Sequence, residues 1–198
     1  MQFRPLVLSV LVILYSFSVS PSAWAQSSEW KGSCQVSFSG KSTLHDFDGM
    51  VEAEPFTVLI SNFDTPTKAR ASSTVLVKAA KMDTGNKKRD VEMRKSLDVD
   101  NYPEIRVSVK DLAPEATNPR LDGEVPQPTV IPFVLSLKGK THRMTARVTG
   151  WAYAKDNISC TVTFPVSLAA AGIKPPSVLG LVKVKDEVLV TAKLSLRR

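Results

Sequence analysis

The chain has 198 residues, 43% hydrophobic and 23% charged, a balance that fits one ordinary globular domain and excludes a disordered or fibrous chain. Its 26 Lys and Arg are interspersed with 19 Asp and Glu, and the resulting charge of +7 falls short of a nucleic-acid footprint. A domain of this size buries a core unaided, so its two cysteines are an optional staple.

The N-terminus carries Arg4, an almost uncharged apolar stretch from Val7 to Val19, and small residues at the cleavage-determining positions of Ala23-Trp24-Ala25. This is the pattern of a secretory signal peptide, residues 1–25, with cleavage expected after Ala25. The apolar run decays into Ser16, Ser18, Ser20, Pro21 and Ser22, short of the roughly 20 residues a membrane span needs. Cleavage removes Arg4 and no acid, leaving +6 on one domain over 26–198, which is 173 residues (198 less 25).

Period-two alternation dominates the mature chain. Strands are predicted at 34–40, 48–60, 70–82 and 104–111. Phe133, Leu135 and Leu137 alternate with polar or outward positions, as do Met144, Ala146 and Val148, and the two runs flank Gly139-Lys140-Thr141 as a hairpin. A strand is expected over 150–166, and a second hairpin where Lys185-Asp186-Glu187 separates Leu181–Val184 from the alternating run after Val188. Helical character is confined to Gly85–Asp98, where Asp90, Met93, Arg94 and Leu97 share a face and Asp83 or Thr84 can cap the start. Ala113–Pro128, with four prolines, and Lys174-Pro175-Pro176 read as loops. At least eight strands and one short helix predict an all-β fold, an antiparallel barrel with something covering its mouth or side. A two-sheet sandwich shares the alternation.

Cys34 and Cys160 both sit on the apolar register of their strands and would meet an oxidising compartment. They are a candidate disulfide, the alternative being two buried thiols behaving as small hydrophobes.

Several segments together resemble the YceI-like polyisoprenoid-binding family. Gly40-Lys41-Ser42-Thr43-Leu44-His45-Asp46-Phe47-Asp48-Gly49 is similar to its opening motif, and Asn86 to Met93 with Tyr102-Pro103-Glu104-Ile105 to its helix and the strand after it. Leu137-Lys138-Gly139-Lys140-Thr141-His142 resembles its mid-barrel turn, and Ile173–Ser177 with Leu181–Asp186 its closing hairpin. The resemblance implies an extended, lipocalin-like eight-stranded barrel holding a long isoprenoid chain, in a family found in the periplasm and sometimes beside quinone-using cytochromes. The opening strand Trp30–Phe38 lacks the His-Ser pair usual in the family, which leaves the ligand's identity open.

The residues themselves agree with a carrier. An eight-stranded barrel is filled by side chains or holds one slender ligand. The inward register offers Phe38, Ile60, Val75, Val77, Ile105, Phe133, Leu135 and Phe164, and Phe47, Met93 and Leu97 join them as candidate ligand contacts; the alternative is that these residues only pack on one another. His45 and His142 are wall residues or touch the ligand head. Ser42, His45 and Asp46 invite a triad reading, but successive strand side chains face opposite ways. No His spacing supports a metal, so none is expected, and no cofactor beyond the bound lipid or quinone. Lys138, Lys140 and Arg143 are candidate head-group contacts; together with Lys87, Lys88 and Arg89 they also suit peripheral contact with an anionic membrane if both clusters share a rim.

The expected function is therefore a periplasmic, non-enzymatic binding protein for an isoprenoid-type lipid, either a quinone or a polyprenyl chain. No nucleic acid is expected as partner, and a homodimer is an open alternative to a monomer. A structural or stress-response interaction protein with a filled barrel is the other reading, and an isomerase or hydrolase using His45 the third.

Overall fold

The computed structural model describes residues 27–43, 45–62, 68–113, 128–154, 156–174, 177–178 and 182–198. The expected signal peptide, most of the proline-rich loop and Pro175-Pro176 lie outside the described residues. In chain order the elements are β1 (Ser27–Ser42), β2 (Phe47–Glu52), β3 (Phe56–Ser61), β4 (Arg70–Lys78), a 3-10 turn (Ala79–Lys81), α1 (Lys87–Leu97), β5 (Glu104–Leu112), β6 (Val130–Leu137), β7 (Lys140–Ala154), β8 (Asn157–Ser167), β9 (Ser177–Val178) and β10 (Val182–Arg197).

Burial alternates along these strands. In β1, Trp30, Cys34 and Phe38 are buried while Glu29, Gln35, Ser37 and Ser39 are exposed; one apolar face is what a strand can bury against the others. Antiparallel pairing runs β1–β3–β4–β5–β6–β7–β8–β10 and returns to β1, closing an eight-stranded barrel. Closure satisfies the backbone groups that an open sheet would leave on its edges. Two strands add to this ring: β2 pairs with the second half of β1, and β9 pairs with the start of β10.

The strand expected at 34–40 extends over Ser27–Ser42, the one expected at 70–82 ends at Lys78, and three further differences change the strand connections. The single strand over 48–60 is divided, because Ala53-Glu54-Pro55 stand opposite only Ser33 and Cys34 of β1. This is a bulge at a proline that has no N–H to give, and its other amides turn to Cys34 O and Leu76 O. The strand over 150–166 is two strands, with the chain reversing before Asn157; Asp156-Asn157 is a turn signal hidden by the alternation that continues on both sides. The second hairpin is absent. Lys185-Asp186-Glu187 lies inside continuous β10, and the register slips where Gly40 pairs with Val188 but Ser42 with Val184. Asp186 holds this irregular stretch against the end of β8, accepting from Ser167 Oγ and Ala169 N, both at 2.6 Å.

The first hairpin is where it was expected, one residue earlier. Leu137 pairs with Lys140, so Lys138 and Gly139 form the turn, both with positive φ (48° and 72°), as a two-residue hairpin of this hand demands. Between β4 and β5 the chain leaves the wall to form α1. Asn86, rather than Asp83 or Thr84, caps it by accepting from Lys88 N and Arg89 N. Thr84 instead donates its N–H and hydroxyl to Asp90 Oδ1 at 2.9 and 2.7 Å, tying the approach loop to the helix. At the other end Asp98 takes the left-handed conformation and Lys138 Nζ donates to Ser96 O at 2.8 Å.

Candidate functional site

The interior is not uniform. At the end where β1 begins and β10 finishes, Trp30, Phe56, Phe133, Val148 and Ile158 are buried and meet across the axis. Trp30 is fully buried beside Phe56, whose ring lies over Gly32, where a Cβ would have no room. Phe133 and Phe164 pack with ring centroids 4.8 Å apart. Above this plug the barrel is hollow, with a cavity of about 1000 Å³ reaching to α1.

The cavity wall is built from period-two positions of six barrel strands and β2. Phe38 of β1, Phe47 of β2, Val75 and Val77 of β4, Ile105 of β5, Leu135 of β6 and Phe164 of β8 line it, as expected from sequence, and Met93 and Leu97 of α1 close over it. His45 lines the rim. Three of the anticipated contacts do not reach it. Phe133 lies below, in the plug; Ile60 sits at the far end of β3; and His142, on β7 opposite Leu135, is outside the lining, its Nε2 buried with no hydrogen-bond partner. Their inward parity was legible, but parity does not encode depth along the barrel.

The head-group candidates also change. Lys138 and Lys140 donate to Ser96 O and Ala170 O, and Arg143 is exposed on β7; none lines the cavity. The cations that do are Lys88 and Arg89 of α1, with Ser42, Thr84, Asn86 and Glu92 beside them. Arg89 sets its guanidinium over the Phe47 ring, with Cζ 5.7 Å from the ring centroid, a cation–π contact at the rim. Val36, Val51, Val107, Val162, Val166, Val190 and Leu194 were not among the sequence candidates and also line the wall. Counting by two from Phe38, Ile105 and Phe164 finds four of them: Val36, Val107, Val162 and Val166.

At the rim, Ser42 Oγ accepts from the backbone N–H of His45 and donates to its C=O, and Asp46 Oδ2 pairs with Lys41 Nζ at 3.0 Å. Asp90 is the buried charge at the mouth, and the two bonds from Thr84 hold its carboxyl below the ordinary carboxylate value.

The cysteines are free and buried, which corrects the expected disulfide. Both stand opposite Leu194, one on each side of β10, and so lie two strand spacings apart. That is roughly 9 to 10 Å, beyond the about 7 Å that a disulfide can span between Cα atoms. The shared apolar register put them on one face without making them neighbours. Burial pushes the Cys34 thiol up to about 12 and Cys160 to about 11, so both stay protonated and behave as small apolar groups.

Solved structures share this architecture. Burkholderia cenocepacia BcnA is 21% identical with a TM-score of 0.62, over 82% of this chain and 95% of that one. A structure described as a polyisoprenoid binding domain from Saccharophagus degradans is 14% identical with a TM-score of 0.54, over 85% and 97%. The Campylobacter jejuni YCEI protein is 13% identical with a TM-score of 0.55, over 79% and 87%. No curated protein matches the chain. The model of the YceI-like domain matches residues 27–196, nearly the whole of the barrel just described, and the chain belongs to that family.

Proposed function

We propose that this chain is exported to the periplasm, where it carries an isoprenoid-type lipid, a quinone or a polyprenyl chain, inside the barrel and catalyses no reaction. The observation that carries the reading is the cavity: about 1000 Å³, walled by valine, leucine, isoleucine and phenylalanine, plugged at one end and polar only at the rim of the other. A branched apolar chain lying in it is removed from water at roughly 25 cal/mol per Å², and His45, Lys88 and Arg89 at the rim supply donors for a head group. The structural relative described as a polyisoprenoid binding domain supports the ligand class, and a family match that begins at Ser27, just past the expected cleavage after Ala25, supports export. The bonds of Ser42 and Asp46 away from the His45 ring, and two protonated thiols, support a binding role over a catalytic one.

The test is mass spectrometry of lipids extracted from the protein purified under mild conditions after export. About one isoprenoid lipid per chain is expected, and Leu135→Arg, which puts a charge in the middle of the wall, should abolish it while circular dichroism still reports a folded barrel. Extracts free of isoprenoid from every gentle preparation would overturn the reading, and so would a Leu135→Arg protein that keeps its cargo.

A further inference from the structure

The cavity is plugged at one end by Trp30 and its neighbours, and its other end is bordered by α1, whose Lys88, Arg89, Val91 and Glu92 line it. The outward face of that helix is organised. Lys87, Val91 and Lys95 follow one another at i, i+4 and i+8 and are all exposed, with Lys88 and Glu92 beside them. Val91, at 58% exposure, is the most exposed large apolar side chain among the described residues and also touches the cavity rim.

Among the described residues, the lysines of this face form no ion pair. The ion pairs among the described residues are Lys41–Asp46, Lys78–Glu104, Lys81–Glu54 and Arg106–Glu104; none involves Lys87, Lys88 or Lys95. Of the two acids of α1, Asp90 is buried against Thr84, which leaves Glu92 as the one carboxylate on the outward face. Asp83 and Asp46 lie near the same rim, but Asp83 accepts from Gly85 N and Asp46 is paired with Lys41. The β6–β7 turn, with Lys138 bonded to Ser96 O, stands at the same end and adds two more cations. Three lysines around a protruding valine, next to the opening of an apolar cavity, complement an anionic lipid surface. Lysine contributes attraction to such a surface and a single apolar side chain reaches the acyl boundary.

We infer that the outward face of α1, formed by Lys87, Lys88, Val91 and Lys95, docks on an anionic bilayer leaflet and sets the cavity mouth against the membrane, so that a lipid passes between bilayer and barrel without crossing open water. The inference rests on the carrier reading for its purpose, though not for its geometry.

The experiment is co-sedimentation of the exported protein with vesicles of phosphatidylcholine alone and of phosphatidylcholine mixed with phosphatidylglycerol, at low and at physiological ionic strength. Binding to the mixed vesicles, weakened by salt, is expected, with little binding to phosphatidylcholine alone. Lys87→Gln with Lys95→Gln, neither of which lines the cavity, should weaken it roughly thirtyfold, about fivefold per charge, and Lys87→Arg with Lys95→Arg should restore it. Equal binding to both vesicle types, no binding to either, or full binding by the double glutamine variant with an unchanged unfolding midpoint would each overturn the docking face. Cargo analysis of the same samples separates the two readings. A lipid-loaded protein that ignores anionic vesicles defeats the docking face alone, and an empty protein that still sediments with them defeats the carrier reading alone.

Discussion

β1 runs through two regions with the same alternation and opposite outcomes. Near its start, Trp30 faces Phe56, Phe133 and Ile158, and the barrel is solid; near its end, Val36 and Phe38 face a void. The strands, pairing and parity are the same in both. What differs is side-chain reach. Indole and phenyl rings at the first end extend to the axis of an eight-stranded barrel, whereas the valines that dominate the second, at 75, 77, 107, 162, 166 and 190, are too short to meet across it. Glycines do not make the difference, since Gly32 gives room to the Phe56 ring at the solid end and Gly40 and Gly49 give room to the Phe47 and Phe38 rings at the hollow one. The two halves serve different ends: the solid one supplies packing, and the hollow one leaves apolar surface uncovered.

The contrast can be broken most directly at Trp30. Trp30→Ala removes the plug's fully buried side chain and should cost about 3 to 5 kcal/mol, read as a fall in the urea midpoint. A loss under about 1 kcal/mol would show that the two ends do not differ in packing. A smaller effect is expected at the lid of the hollow half. Asp90→Ala leaves the Thr84 N–H and hydroxyl without their acceptor and should cost about 1 to 2 kcal/mol, with amide exchange rising over 84–98 ahead of the barrel strands.

The same carboxylate, with Glu104 beside Lys78 and Asp186 beside Ser167, gives the acid limb of stability. All three are held below their ordinary values in the fold, so their contribution is complete above the unfolded values near 3.8 to 4.5. It is lost as pH falls through the lower folded ones, where the unfolded chain binds more protons. Unfolding midpoints measured downward from pH 5 should decline, and decline less steeply in the Asp90→Ala protein. The smallest change in stability is expected in the void itself. Val190→Phe should alter the midpoint by less than about 1.5 kcal/mol, because the ring enters empty space, yet reduce the cargo. A loss as large as that from Trp30→Ala would mean that the hollow end is packed after all.

Much of the candidate site was legible before the structure because parity is local. Val75 and Val77, Ile105, Leu135 and Phe164 each declare their face by alternating with polar neighbours, and α1 declares its inner face by the spacing of Asp90, Met93 and Leu97. Phe133 and His142 carried the same signal and still do not line the cavity, since a two-residue period says which way a side chain points and nothing of its height along the axis. The cation clusters show the same limit. Lys138 and Lys140 flank the most legible turn in the chain, but Lys138 reaches around to the α1 carbonyl at Ser96 and leaves the rim to Lys88 and Arg89.

By itself the sequence determined the all-β class, the helix near residues 85–98, the tight turn before Lys140 and the family, because alternation, capping residues and a Gly at a positive-φ position act within a few residues of one another. It also determined that one face of each strand is apolar. Only the tertiary structure decided which end is hollow, that Lys185-Asp186-Glu187 continues a strand instead of turning, and that Cys34 and Cys160 flank Leu194 without meeting. Those outcomes depend on register between strands far apart in the chain. The physical quantities that set register, the closure of the barrel and the volume available at each height along its axis, belong to the assembled sheet and to no segment of it.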